Sequence, residues 1–334
     1  MKIKNLVFAI ILVLSLCYFS CFNSNLIAKA DSNAEIVVEV ETGQILYANN
    51  EKSRLPMAST TKIMTAIIIV EDCDLNAVIK VPKEAVGVEG SSIYLKCDEE
   101  ISIKDLLFGL MLRSGNDASV ALAIAHSGSV EKFVDVMNER AKAIGASDTH
   151  FCNPNGLPND FHYTTAHDLA KISAYAMKNA TFREIVSAKS YKGDYKYFAN
   201  KNKILNMLDG ANGVKTGYTK KAGRCLVSSA KRDDMQLVCV VLNCSDMYEQ
   251  SKKLLENAFE RYSTVKIGKD KKFEYKNKIY SVGESVSLVV RKNAVLRYEI
   301  EICGDGKRDE LPLLKIYDEN NLIFSQNLYT IIDD

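Results

Sequence analysis

The alternation of apolar and polar positions becomes regular at Glu35. Ile36, Val38 and Val40 fall on one face, and Glu35, Val37, Glu39 and Glu41 on the other. A period of two predicts a strand, here with one dry face and one mostly polar, wetter face. Thr42-Gly43 supplies a turn, Ile45 and Tyr47 continue the pattern, and residues 35–49 read as a β-hairpin. Beyond Pro56 the period lengthens. Ile63, Ala66, Ile67 and Val70 recur at helical spacing between Ser59 and about Asp72. Residues 102–112 open at the N-cap candidate Ser102 and carry Leu106, Leu107, Leu110 and Met111. Ser114-Gly115-Asn116 interrupts that pattern, which resumes from Asp117 to about His126. Ser129 to Ile144 is an amphipathic helix, capped by Ser129 and stopped by Gly145. Asn153-Pro154-Asn155-Gly156 is a turn-rich loop, and Thr165 to Lys178 is helical again. From Gly213 the texture is that of strands. Cys225 to Ala230 and Gln236 to Leu242 form a hairpin around Arg232-Asp233-Asp234, and Tyr248 to Tyr262 reads as a closing helix.

Strands therefore begin and end the segment 35–262, with a helical block between. This order predicts an α/β (α+β) domain in which the first hairpin joins the last strands in a largely antiparallel sheet. After Tyr262 the chain turns Lys-rich and alternates in short runs, as at Val286, Leu288 and Val290, the mark of a small all-β domain. The expected organisation is a leader at 1–30, a main domain at 31–264 and a β-rich domain at 265–334.

The leader is read from charge and hydropathy together. Lys2 and Lys4 precede an almost wholly apolar run from Leu6 to Phe22, and Ala28-Lys29-Ala30 follows as a small-residue cleavage site. This is the layout of a secretory signal peptide, cut after Ala30. It implies export, to the cell wall, the outer face of the cytoplasmic membrane or the medium. An uncleaved anchor and lipidation at Cys21 fit less well, and membrane attachment is left open. The formal charge of +1 falls to −2 once Lys2, Lys4 and Lys29 are removed, with 40 basic and 42 acidic residues remaining. No basic excess or stripe marks a nucleic-acid binder. An apolar content of 47% with so little net charge excludes disorder.

Seven of the nine cysteines lie beyond the leader, an odd number without a C-x-x-C. Several sit in apolar runs, and the expectation is buried free thiols rather than a disulfide scaffold. No His-Glu-x-x-His or other metal-ligand spacing occurs, so neither a metal nor another cofactor is expected. His126, His150, His162 and His167 stand in no Ser-His-Asp hydrolase context, and His167-Asp168 reads as structural.

Candidate chemistry lies at Ser59-Thr60-Thr61-Lys62. Residues three apart on a helix are neighbours, so the Lys62 amine can meet the Ser59 hydroxyl. A hydroxyl needs an adjacent base to become a nucleophile. A lysine serves as that base only when burial or nearby cations lower its pKa. The string alone is common: Ser129/Lys132, Ser228/Lys231 and Ser263/Lys266 share it. Order adds the specificity, because only Ser59 is followed by a Ser-x-Asn, at Ser114-Gly115-Asn116, and then by Lys215-Thr216-Gly217. The trio is that of penicillin-binding proteins and class A β-lactamases.

On these residues the chain resembles the low-molecular-mass penicillin-binding proteins, serine-type D-Ala-D-Ala carboxypeptidases. Leu55 to Thr65, Ser114 to Ala118, Asn153 to Leu157, Thr165 to Leu169 and Gly213 to Thr219 all fit, within a similarity spanning about 33–262. The resemblance implies that Ser59 attacks the carbonyl between two D-alanines, Lys62 accepts its proton and Ser114 relays one to the leaving amine. Asn116 orients Lys62 and the substrate. Lys215 and Thr216 take the terminal carboxylate, beside Gly217. The backbone N–H groups of Ser59 and Tyr218 form the oxyanion hole. The implied partners are a peptidoglycan stem peptide ending in D-Ala-D-Ala and, as inhibitors, β-lactams.

Two features depart from the family. An arginine often stands upstream of the Lys-Thr-Gly strand, and here Asn200-Lys201-Asn202 puts Lys201 in that place, with weaker monodentate binding. The amphipathic C-terminal helix of many members is not seen before Ile331-Ile332-Asp333-Asp334. A strong β-lactamase is disfavoured, since no Glu-x-x-x-Asn lies between Asn116 and Lys215. A DD-endopeptidase is not cleanly separated by the motifs. A non-catalytic wall-binding protein sits poorly with a full set of reactive positions.

Overall fold

The computed structural model describes residues 33–193, 196–301 and 311–330. The expected leader and its cleavage site, Cys303, and the terminal residues 331–334 lie outside the described residues.

A five-stranded antiparallel sheet organises the larger part of the chain. Its first two strands are β1 (Ala34–Glu39) and β2 (Ile45–Asn49). Two short ribbons follow: β3 (Val78–Lys80) with β4 (Glu100–Ser102), and β5 (Ser190–Lys192) with β6 (Tyr197–Ala199). Strands β7 (Ala211–Thr219), β8 (Gly223–Arg232) and β9 (Met235–Leu242) complete the sheet in the order β2-β1-β9-β8-β7. The N-terminal hairpin thus docks on the last strand, with Ile36 opposite Val240 and Val38 opposite Val238.

Strands β1, β8 and β9 are buried on both faces, which explains the unbroken apolar run Leu237 to Leu242. Val38, Val227, Val238 and Val240 pack into the helical block, whereas Val37, Leu226, Cys239 and Val241 pack on the other side with Leu255 and Phe259. The face of β1 expected to be wet is therefore dry. Glu35 and Glu39 are each 1% exposed. Both stay there through hydrogen bonds. Glu39 accepts from Thr42 N–H (2.8 Å), Thr42 Oγ1 (2.7 Å) and Glu41 N–H (3.1 Å), and Glu35 accepts from Tyr47 Oη and Asn33 Nδ2.

The helical block is built round α1 (Lys62–Asp72), buried from Lys62 to Ile69. Ile63, Ile67, Ile68 and Ile69 are β-branched and cost a few tenths of a kcal/mol each in helix propensity. Complete burial returns about 2 kcal/mol for each, so packing decides the conformation. Around α1 lie α2 (Ile103–Phe108), α3 (Asn116–Ser127), α4 (Val130–Ile144), α5 (Ala166–Lys178) and α6 (Ala180–Ser187). The short α7 (Ile204–Met207) precedes β7, and α8 (Met247–Arg261) covers the far face of the sheet.

The remaining strands form the expected all-β region. Strand β10 (Tyr262–Ile267) leaves α8 directly, three residues ahead of the expected domain boundary at 265, and pairs across the chain with β13 (Val286–Arg291). Strands β11 (Phe273–Tyr275), β12 (Lys278–Val282), β14 (Leu296–Glu301), β15 (Leu313–Asp318) and β16 (Asn321–Thr330) make a sheet ordered β11-β12-β16-β15-β14. Val282, Leu288, Leu314, Ile316 and Leu328 form its core, while Val289 turns the other way and packs with the α8 cluster.

No described helix is long and apolar enough to cross a membrane. Among the described residues six cysteines are free: Cys225, Cys239 and Cys244 are buried as expected, Cys73 and Cys152 are half-buried, and Cys97 is exposed.

Candidate active site

The expected helix from Ser59 begins three residues late. Ala58–Thr61 is a turn of 3-10 helix, and α1 starts at Lys62. Ala58 sits in the left-handed region at φ +47°. Hydroxyls close the turn: Thr60 Oγ1 donates to Met57 O (2.6 Å) and Thr61 Oγ1 to Ala58 O (2.8 Å). In a 3-10 turn residues i and i+3 eclipse, so Lys62 stands directly over Ser59. Its Nζ lies 3.1 Å from Ser59 Oγ.

Lys62 is fully buried, and its amine donates to Asn116 Oδ1 (2.7 Å) and Asn155 O (2.6 Å). Both partners only accept. A neutral amine can satisfy them with its two N–H groups and keep its lone pair for the Ser59 proton. Electrostatics favour that neutral form. Burial, first, and the Lys215 cation, second, hold Lys62 well below the ordinary lysine pKa, with the Asp117 carboxylate opposing.

Ser114-Gly115-Asn116 is carried by a distortion. After α2 the chain widens into a π turn, Gly109–Arg113, which ends at Ser114 with φ +65°. This turn puts Ser114 on the cleft wall and Asn116 at the first position of α3. Asn116 Nδ2 donates to Glu89 O (2.5 Å), which leaves Oδ1 facing Lys62. Asp117 anchors the strip that supplies Glu89 and Ser91, accepting from Ser92 Oγ (2.6 Å) and from the N–H groups of Ile93 and Leu95.

Strand β7 forms the opposite wall. Thr216, Gly217 and Tyr218 face a cleft of about 440 Å³ that also exposes Ser59 and Ser114. Lys215 is 2% exposed and donates to Thr216 O (3.0 Å) behind that wall. Burial, then the Lys201 cation, push its pKa down to about 7. Gly217 has a second duty besides leaving room for a ligand. A Cβ there would stand 3.0 Å from Ser59 N, so glycine lets the strand lie against the nucleophile turn.

The structure brings Ser59, Lys62, Ser114, Asn116 and the 215–218 strand together around one cleft, and Lys201 lines it too. Lys201 is pinned through its N–H to Leu112 O (3.1 Å), and burial, then Arg113, lower its pKa. Three participants escaped the sequence reading. Asn155 acts through a backbone carbonyl, which carries no side-chain signature. Ser91 belongs to no motif of its own. Arg224, paired across the strands with Tyr218, reaches the cleft wall from an otherwise ordinary strand position. Among the described residues no cluster of three or more His, Cys, Asp or Glu is placed to hold a metal ion.

Comparison with known proteins agrees with this geometry. The family described as D-alanyl-D-alanine carboxypeptidase matches residues 23–246. The D-alanyl-D-alanine carboxypeptidase DacF of Bacillus subtilis is 35% identical over 289 residues, 78% of this chain and 73% of the relative. Among solved structures, penicillin binding protein 5 from Haemophilus influenzae superposes with a TM-score of 0.80 at 26% identity, over 92% of this chain and 97% of the other. The carboxypeptidase DacD from Francisella tularensis gives 0.76 at 27% identity, over 91% and 94%. Family, fold and site coincide, and the chain belongs to the D-alanyl-D-alanine carboxypeptidases, serine-type hydrolases that include penicillin-binding proteins.

Proposed function

We propose that the enzyme removes the terminal D-alanine from peptidoglycan stem peptides ending in D-Ala-D-Ala, through an acyl-enzyme on Ser59. The observation that carries this reading is the buried Lys62 amine, 3.1 Å from Ser59 Oγ and held by two carbonyl-type acceptors. Lys62 takes the Ser59 proton as Oγ bonds to the carbonyl carbon between the two D-alanines. Charge then develops on the carbonyl oxygen, where the N–H groups of Ser59 and Tyr218 stabilise it. The C–N bond breaks, and the departing amine receives a proton by way of Ser114. Water attacks the ester, returns the proton to Ser59 and frees the shortened peptide.

The terminal carboxylate binds where Thr216, Lys201 and Arg224 meet the cleft, with Lys215 contributing charge from behind. β-Lactams acylate Ser59 in the same way and stay. The leader sequence supports a site of action outside the cytoplasmic membrane, reached by cleavage after Ala30.

The decisive experiment measures free D-alanine released from a peptide ending in Lys-D-Ala-D-Ala, with protein starting at Asp31. Release should vanish in Ser59→Ala. A folded protein that takes a penicillin adduct yet releases nothing would instead be an endopeptidase or require another stem peptide. A folded protein that does neither would be a non-catalytic wall-binding protein.

A further inference from the structure

His162 is 2% exposed and stands outside the trio, yet its imidazole touches two segments that the trio depends on. Its Nδ1 accepts from the Cys152 N–H (3.0 Å), so Nδ1 carries no proton. Its Nε2 lies 2.8 Å from Thr61 Oγ1. The single Thr61 hydroxyl proton goes to Ala58 O (2.8 Å), so the proton between Thr61 and the ring belongs to Nε2. The tautomer follows from the network, and both ring nitrogens are used.

We propose that His162 is a positioning residue that orients the Ala58–Ser59 peptide and the Asn155 carbonyl together, and so sets both the oxyanion donor and the seat of the base. The inference rests on the roles assigned above to Ser59 and Lys62.

The first arm runs through Thr61. A trans peptide points its C=O and N–H in opposite directions. Ala58 O is turned inward to the Thr61 hydroxyl, so Ser59 N–H turns outward, to the side where Gly217 approaches it. Ala58 has φ +47°, a conformation that costs a non-glycine residue about 1 kcal/mol or more and needs support from its surroundings. The His162–Thr61–Ala58 chain supplies that support. Gly156 adds to it by packing so closely that a Cβ would fall 2.0 Å from Ala58 O.

The second arm runs through Cys152. The loop that follows carries Pro154 O, which accepts from Thr65 Oγ1 (2.7 Å) and Ser119 Oγ (2.6 Å), and Asn155 O, which accepts from Lys62. His162 clasps the start of that loop to the nucleophile turn. The ring serves only as a neutral group, since an imidazolium would set Nδ1–H against the Cys152 N–H. Burial, then His150 and Lys62, keep it neutral, with a pKa near 3.

The test measures acylation by a fluorescent penicillin, separating the non-covalent Kd from the acylation rate constant. His162→Phe should lower the rate constant about 30-fold or more with Kd within about threefold, since a 1 Å misplacement can cost about 100-fold. His162→Gln, which keeps a donor for Thr61, should recover about tenfold of that loss. Thr61→Val should match His162→Phe, and the double variant should be no slower than either alone, because one chain is broken twice. Nitrogen NMR of the wild-type ring should show a bare Nδ1 and no titration between about pH 5 and 8.

A folded fraction of His162→Phe that acylates at the wild-type rate would overturn the proposal, as would multiplicative losses in the double variant or a ring that titrates. If His162→Phe does not fold, His162→Gln and Thr61→Val decide alone. Failure of the wild type to acylate would sink the assignment of Ser59 and Lys62 itself, a separate outcome.

Discussion

The backbone nitrogen of Ser59 lies so near Gly217 that a Cβ on the latter would stand 3.0 Å away. Ala58 Cβ and Met57 O are as close, at 3.1 Å each. The third motif therefore shapes the first as well as the substrate subsite. Gly217→Ala must push β7 off the nucleophile turn or shift the turn itself. Overpacking of this kind costs about 1–3 kcal/mol. The larger effect falls on acylation, because Ser59 N–H is displaced from the developing oxyanion, a donor worth about 100-fold or more in rate. A stopped-flow acylation rate near wild type in Gly217→Ala would show that the strand yields without moving the donor.

The trio was legible because its chemistry resides in side chains at recognisable spacing and in a fixed order. Ser59, Lys62, Ser114, Asn116 and Lys215 needed no tertiary information to be singled out. What the sequence could not reveal is carried by backbone groups and by remote packing. The Asn155 carbonyl on Lys62 is one case. The 3-10 turn is another: periodicity places Ser59 in the helix, whereas Ala58 at φ +47° and the Thr60 and Thr61 hydroxyls delay its start. Glu35 and Glu39 suggested a wet face, and only the position of α8, fifteen residues laid over that face, makes it dry. The strand order joining β1 to β9 followed from the layout of strands around a helical block, since an apolar edge such as Leu237 to Leu242 must be paired and covered.

Thiol reactivity should sort the cysteines by burial. Cys97 is exposed, whereas Cys225 and Cys239 are fully enclosed and burial pushes their pKa up to about 12. A thiolate is the reactive form, so an aromatic disulfide reagent at pH 8 should label Cys97 within minutes. Cys225 and Cys239 should be labelled only after denaturation. Peptide mapping of labelled protein checks the order, and early labelling of Cys239 would contradict the packing of β9 against α8.

The buried His162 should make the fold acid-sensitive. Its folded pKa is near 3 against about 6.5 in an unfolded chain, so below pH 6.5 the unfolded state binds the extra proton. Stability from this group is full above pH 6.5 and declines as pH falls from there towards 3. The melting temperature of His162→Gln, which cannot titrate, should fall less between pH 7 and pH 4.5 than that of the wild type. Equal falls in both proteins would place the acid sensitivity elsewhere, among the buried carboxylates.

Three lysines form an electrostatic series across the cleft wall. Burial and then the Lys201 cation bring Lys215 down to about 7, and burial and then the Lys215 cation lower Lys62. The rate depends on neutral Lys62, so kcat/KM should rise with pH as that amine deprotonates. Lys215→Met removes the second-largest cause of the Lys62 depression. The pKa of Lys62 then rises, and the acidic limb of kcat/KM for β-lactam acylation should move to higher pH. Lys201→Gln acts one step back. Lys215 recovers a higher pKa and Lys62 keeps the cation that lowers it, so the limb should stay near its wild-type position. Only Lys215→Met should move the limb. Simple loss of a carboxylate contact would raise KM in both and leave the limb in place. Stability gives an independent reading. Lys215 binds its proton more tightly in the unfolded chain, so wild type gains stability as pH rises from about 7 towards the unfolded lysine value near 10.4, and Lys215→Met should lack that gain.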